Sequence, residues 1–390
     1  MMFKKNKFLP YGRHKLTKRD IFSVIKVLQS KNLTQGNCVP LFEKLLSNKV
    51  NATYAVAVNS ATSALHITCL ALDLKKNDWL WTSANTFVAS ANCGRYCDAL
   101  VDFVDINPKT GLMCTVALEK KLKLAKKNGT LPKILVAVHF SGASCDMEKI
   151  FNLSKKYNFH IIEDASHALG GSYKNQKVGS CHYSIATVFS FHPVKIITTG
   201  EGGAVTTNNK ELAKKISLLR SHGITKDKFQ FESQIHDEWT YEQQALGFNY
   251  RMSDIHASLG ISQLNKLEKI ILDRNRKYDN YKMILQDLPV SLLEIPKNVR
   301  SSIHLAIIKL ENKDPDFHRK IFSGLRKMNI GAQIHYSPVH LHPYYKNLGF
   351  CVGDFPEAEF HAKNSITIPL YVGLTTREQF RVAKSLKSLL

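Results

Sequence analysis

The sequence predicts an α/β protein. A large domain over residues 1–260 is expected on a mainly parallel, mixed sheet flanked by helices, with a smaller α+β domain over 261–390. Three observations predict this. From residue 54 onward, short β-branched runs alternate with helical ones, the pattern of a parallel sheet with helical crossovers. Strands such as ILVAV at 134–138 are apolar throughout, as expected when both faces are covered. From about residue 251 the alternation gives way to longer helical patterns separated by extended runs.

The elements read in order. DIFSVIKVLQS at 20–30 has helical spacing, LTQG at 33–36 makes a turn, and VPLFEKLLSNKV at 39–50 gives a second helix. A strand at 54–59, a helix at 60–74 and a strand at 78–83 follow. TFVASANCGRYCD at 86–98 leads to LVDFVDIN at 100–107 and the helical VALEKKLKLAKK at 116–127. Next come KILVAVHF at 133–140, the helix MEKIFNLSKKYN at 147–158 and FHIIEDAS at 159–166. SIATVFSF at 184–191 and GGAVTTN at 202–208 complete the sheet. Residues 252–285 read as one long amphipathic helix linking the domains. The extended runs IHLAIIKL and SITIPL, with helices at 316–328 and 377–390, make the smaller domain.

Composition excludes several classes. No run approaches the roughly 18 to 20 apolar residues of a membrane span. The basic lead, MMFKKNKFLPYGRHKLTKRD, has no apolar h-region and is not read as a secretory signal. The eight cysteines are scattered without a CxxC, so we expect reduced thiols in a cytoplasmic protein. A formal charge of +22 raises the possibility of nucleic-acid binding. The lysines are dispersed, however, and the densest run, KKLKLAKK at 120–127, reads as a solvated helix face. No nucleic-acid motif accompanies them, and a basic surface equally suits a phosphorylated small substrate.

Three strand ends carry polar residues where a parallel sheet binds its ligands. In FSFHPVKIITTGEGGAV, Lys195 sits within an apolar run and glycines come after it. Burial lowers the pKa of such an amine and makes it a nucleophile able to form a Schiff base. Ser190 lies five residues earlier. At 59–63, Asn59 ends a strand and Ser60-Ala61-Thr62-Ser63 opens a helix, either as an ordinary N-cap or as a phosphate site. At 164, Asp164 ends another apolar strand, either capping the next helix or partnering a protonated ring nitrogen. Taken together, the three meet the needs of pyridoxal phosphate (PLP).

Over essentially its whole length the chain resembles the fold-type-I PLP enzymes of the DegT-type sugar aminotransferase family. The motifs that carry the likeness include LPYGRHKLTKRDI, LTQGNCVPLFEKLL, SFHPVK, EDASHA and GAQIHYSPVHLHPYY. The resemblance implies that Lys195 joins the cofactor, Asp164 pairs with its ring nitrogen, and His167 lies near the ring hydroxyl. It also implies phosphate contacts from Ala61, Thr62 and Ser190, stacking by Phe87, and a reach by Asn249 to the phosphate of a neighbouring subunit in a homodimer. The implied reactants are glutamate and a UDP-sugar bearing a keto group. Tyr11, Arg13, Arg220, Arg251, His335, Tyr336 and His340 are candidates to touch the sugar nucleotide. Ile196 and His139 depart from the expected pattern at positions that bear on sugar preference. Dehydratases of the family carry His in place of the Schiff-base Lys, and Lys195 argues against that chemistry. Transamination of a different keto sugar, a non-catalytic PLP sensor and a nucleic-acid binder are the competing readings.

Overall fold

The computed structural model describes residues 7–232 and 237–390. Part of the basic N-terminal lead, residues 1–6, lies outside the described residues. Helix α1 (Lys18–Leu28) begins at a capping box in which Thr17 and Asp20 satisfy each other's backbone amides. Helix α2 (Cys38–Val50) follows.

A seven-stranded sheet contains β1 (Tyr54–Val58), β2 (Trp79–Ser83), β3 (Leu100–Val104), β4 (Ile134–Val138), β5 (His160–Asp164), β6 (Ala186–Ser190) and β7 (Gly203–Thr207). Their order across the sheet is β1-β7-β6-β5-β4-β2-β3. Only β7 runs against its neighbours, β1 and β6. The helices α3 (Ala61–Ala71), α4 (Ala89–Arg95), α5 (Thr115–Asn128), α6 (Met147–Tyr157) and α7 (Lys210–Arg220) cover the sheet. Alternate residues of β4 show why the strand is apolar throughout. Ile134, Val136 and Val138 pack into one core, while Leu135 and Ala137 pack into another. The lysine-rich run lies on α5, which buries only Leu118, Leu122 and Ala125.

The long helix expected over 252–285 is two helices, α8 (Asp254–Leu264) and α9 (Leu267–Ile284). The break has a packing reason. Helix α8 is wedged against α1 and α2, and Gly260 sits so close to Phe42 and Thr199 that a Cβ there would meet both at 2.8 Å. At the break, Lys266 turns back onto the fully buried carboxylate of Asp20. Beyond α9 a three-stranded antiparallel sheet forms from β8 (Val290–Leu292), β9 (Ala306–Leu310) and β10 (Ser365–Ile368). Helices α10 (Pro315–Lys327), α11 (Pro356–Asn364) and α12 (Thr376–Lys387) accompany it. Its core also takes in Leu9, whose segment bridges Ile330. Residue 260 lies inside α8, so we propose that the two domains part at Asn265–Lys266.

Candidate active site

The carboxyl ends of β1, β2, β4, β5 and β6 open onto one cavity of about 480 Å³. Ser60, Ala61 and Thr62 come after β1 there, and Thr86 and Phe87 after β2. Val138, Asp164 and Ser190 end β4, β5 and β6, while Lys195 stands on the loop after β6. Tyr11, His304, His335 and Tyr336 close the wall from the N-terminal segment and the smaller unit.

The lysine loop is folded back on itself. Phe191 accepts from the Thr199 amide at 3.0 Å and donates its own amide to Gly202 at 2.9 Å. Gly200 turns the chain at φ +86°. At Gly203 a Cβ would come within 2.5 Å of the Ala61 nitrogen, so only glycine lets β7 pass this close to the start of α3. Burial draws the Lys195 ammonium down to about 8, against the opposing pull of the Asp164 carboxylate.

Asp164 is buried and held at both oxygens. The Ser90 hydroxyl donates to Oδ2 at 2.6 Å, and the Ser166 amide donates to Oδ1 at 3.1 Å. Ser90 in turn shares a 2.8 Å hydrogen bond with Thr86. His167 pairs its Nε2 with the Tyr336 hydroxyl at 3.3 Å, while its Nδ1 is buried with no partner among the described residues. Its ring centroid lies 4.4 Å from that of His304. Burial, with Lys195 nearby, holds both imidazoles well below their ordinary pKa, so they are neutral at pH 7. His335 is likewise drawn down to about 3 by burial and by Lys195. This wall therefore holds neutral groups that do not repel a second positive charge.

At the start of α3, Ser60 caps the helix through the Ser63 amide at 3.1 Å. Among the described residues no hydrogen bond takes up the amides of Ala61 and Thr62, which leaves two donors at the positive end of the helix. The Phe87 ring is 57 % exposed although it lines a cavity. Open amides, an uncovered aromatic face, a buried carboxylate and an unpartnered imidazole nitrogen fit a phosphorylated pyridine ring.

Other residues picked out in the sequence lie elsewhere. Arg220 faces away from the cavity, donating to Glu43 at 2.6 Å and to the Ala57 carbonyl at 2.7 Å. His340 is fully buried on Glu359 at 3.0 Å. Arg13 lines a second cavity and lies 5.7 Å over the Tyr371 ring. Asn249 and Arg251 flank Tyr250, whose carbonyl accepts from the Asn59 amide at 2.8 Å beside the end of β1, and Asn249 is exposed. Ile196 is 5 % exposed in the core behind the lysine, and His139 is fully buried on Glu163. Neither lines the first cavity, so His139 has no contact to carry an effect on sugar preference, while Ile196 lines the second cavity, on the other side of Lys195. Sequence reasoning missed Ser90 and His304. His304 interrupts the apolar run SSIHLAI much as Lys195 interrupts its own, and the same signal applies to it.

A buried lysine with its pKa drawn down, sharing one cavity with a buried, doubly hydrogen-bonded aspartate at the strand ends of an α/β sheet, is the arrangement of a PLP enzyme. The chain belongs to the DegT/DnrJ/EryC1/StrS aminotransferase family, whose model matches residues 14–387, and it is a PLP-dependent aminotransferase. It is 38 % identical over 388 residues to the UDP-4-amino-4,6-dideoxy-N-acetyl-β-L-altrosamine transaminase of Campylobacter jejuni subsp. jejuni serotype O:23/36, covering 98 % of this chain and 97 % of that one. Among solved structures it is similar to PseC of Helicobacter pylori, an aminotransferase of pseudoaminic acid biosynthesis. The TM-score is 0.90 at 33 % identity, over 98 % of this chain and 99 % of that one. Spr1654 of Streptococcus pneumoniae, solved in a PLP form, matches at a TM-score of 0.88 and 28 % identity, over 98 % of each chain.

Proposed function

We propose that the protein transfers the amino group of glutamate to C4 of UDP-2-acetamido-2,6-dideoxy-β-L-arabino-hexos-4-ulose, for a pseudaminic acid-type surface glycan. The observation that carries the reading is Lys195 and Asp164 facing one cavity at whose rim the Ala61 and Thr62 amides stand open. The names of the Campylobacter and Helicobacter relatives support this acceptor.

When bound, PLP supplies an aldehyde that takes up amines and a ring that draws electrons from the adjoining carbon. The residues divide the remaining work. Ala61 and Thr62 would donate their amides to the phosphate, and Ser190 would add its hydroxyl. Phe87 would cover one face of the ring, and Asp164, fixed by Ser90, would accept from the ring nitrogen. His167 would stand by the ring oxygen. Lys195, whose ammonium is drawn down to about 8, would in its uncharged form take the proton from the donor's α-carbon and return one in the reverse sense for the keto sugar. We propose further that the protein works as a homodimer in which the exposed Asn249 reaches the partner's phosphate site. Light scattering of the holoprotein reads the assembly.

The testing experiment is an absorbance spectrum of the purified protein with PLP, before and after glutamate. The expected result is a visible band that fades as a near-ultraviolet band grows, and then amination of the 4-keto sugar. Turnover of a 3-keto sugar, and none of the 4-keto one, would replace the proposed acceptor. The capture of PLP by the apoprotein carries a pH dependence of its own. Lys195 attacks only when uncharged, and its ammonium is drawn down to about 8. Below that value the uncharged fraction grows about tenfold per pH unit. The capture rate is therefore expected to climb from pH 6 to 8 and level off above. Stopped-flow absorbance checks this, and a rate that keeps climbing to pH 10 contradicts it.

A further inference from the structure

A second cavity, of about 440 Å³, opens on the other side of Lys195, which lines both. Its walls are the N-terminal segment 13–17, the end of α8 and much of α9, and the loop 372–375 that leads into α12. Its charge is lopsided well beyond the composition of the chain. Over the whole sequence Lys and Arg outnumber Asp and Glu 54 to 32. Here the only carboxylate in the lining, among the described residues, is Asp273, already matched by Arg276 and Lys277.

The other cations fall into two groups. Lys266 is spent on Asp20, and the buried Arg274 on the carbonyls of Ile303, His304 and Leu370. Arg13, Lys15 and Lys269 have no carboxylate partner among the described residues. The floor, in contrast, is apolar: Ile196, Ile270 and Val372. A concave, one-signed rim over a low-dielectric floor focuses its field on whatever anion enters.

We propose that this cavity receives the anionic end of a reactant whose reacting atoms lie at Lys195. The inference rests on the aminotransferase reading. Two reactants carry such a group: the amino donor, with the single carboxylate at its far end, and the nucleotide sugar, with its diphosphate. The shared chemistry is an anionic oxygen group, and the cations Arg13, Lys15 and Lys269 recognise it.

The test uses the PLP-loaded protein with Lys269→Glu and Arg13→Ala, both exposed positions. Lys126→Glu, exposed on the distant α5, controls for overall charge. Glutamate is titrated by the fading of the visible band, and UDP by calorimetry, each at low and high salt. The expected result is that one of the two anions weakens by about tenfold or more in both cavity variants and loses part of its salt dependence, while the control matches the wild type. Loss confined to glutamate assigns the cavity to the donor's far carboxylate, and loss confined to UDP assigns it to the diphosphate. Both affinities within twofold of wild type in both variants overturn the proposal. Failure of the aminotransferase reading looks different: the wild type itself would show no visible band with PLP.

Discussion

Replacing Lys195 with alanine is expected to cut turnover by at least about 10⁴-fold, the combined loss of a nucleophile and of a proton carrier. The protein should still bind PLP, since the Ala61 and Thr62 amides and Asp164 are untouched, but the visible band of cofactor joined to lysine should vanish. Lys195→Arg should be equally inactive, because a guanidinium stays charged and can neither attack nor accept a proton. The two variants separate chemistry from charge. Arginine keeps the positive partner that Asp164 feels, and alanine removes it. Steady-state rates with glutamate and the keto sugar, alongside the spectra, decide the matter. Turnover within a hundredfold of wild type in either variant would remove Lys195 from its role.

The sheet and the strand-end positions are legible in the sequence for a physical reason. A strand covered on both faces is mostly apolar, so polar side chains gather where it leaves the sheet, although Glu163 and Thr187 lie buried inside theirs. Asn59, Asp164 and Ser190 stand at such points, and the structure sets the residues around them on one cavity or its rim. The residues behind that row are not legible in the same way. Ser90 reaches Asp164 across 74 positions, and His304 meets His167 only because the smaller unit folds against the large sheet. Arg220 shows the opposite failure. A basic residue near the end of a helix looks free in sequence, whereas its partner Glu43 is 177 positions away. The helix expected to run unbroken from 252 to 285 hid its break for a similar reason. Asn265 and Lys266 are acceptable helix residues, and the turn is imposed by the packing of α8 and by Asp20.

His139 carries the last of these lessons and a large effect on stability. In the sequence it marks a departure that bears on the sugar. In the structure it is sealed beneath the site, with its backbone amide donating to the Asp164 carbonyl at 3.0 Å. The Cys145 amide donates to Nδ1 at 3.2 Å, which leaves Nε2–H to donate to Glu163 at 2.6 Å. The other oxygen of Glu163 is held by Ser184 and Thr187. Truncation to alanine strands a buried carboxylate with one oxygen unpaired and leaves a void beside it. Leaving a buried carboxylate short of its donor costs about 1–3 kcal/mol or more. His139→Ala is thus expected to lower the denaturation midpoint of the holoprotein markedly, and adding Glu163→Leu should recover part of the loss by removing the stranded charge. The ranking of keto sugars should not change in whatever protein remains folded, because His139 does not reach the cavity. An unmoved midpoint would show that the buried pair contributes nothing. A reordered sugar preference would return His139 to the role that the sequence suggested.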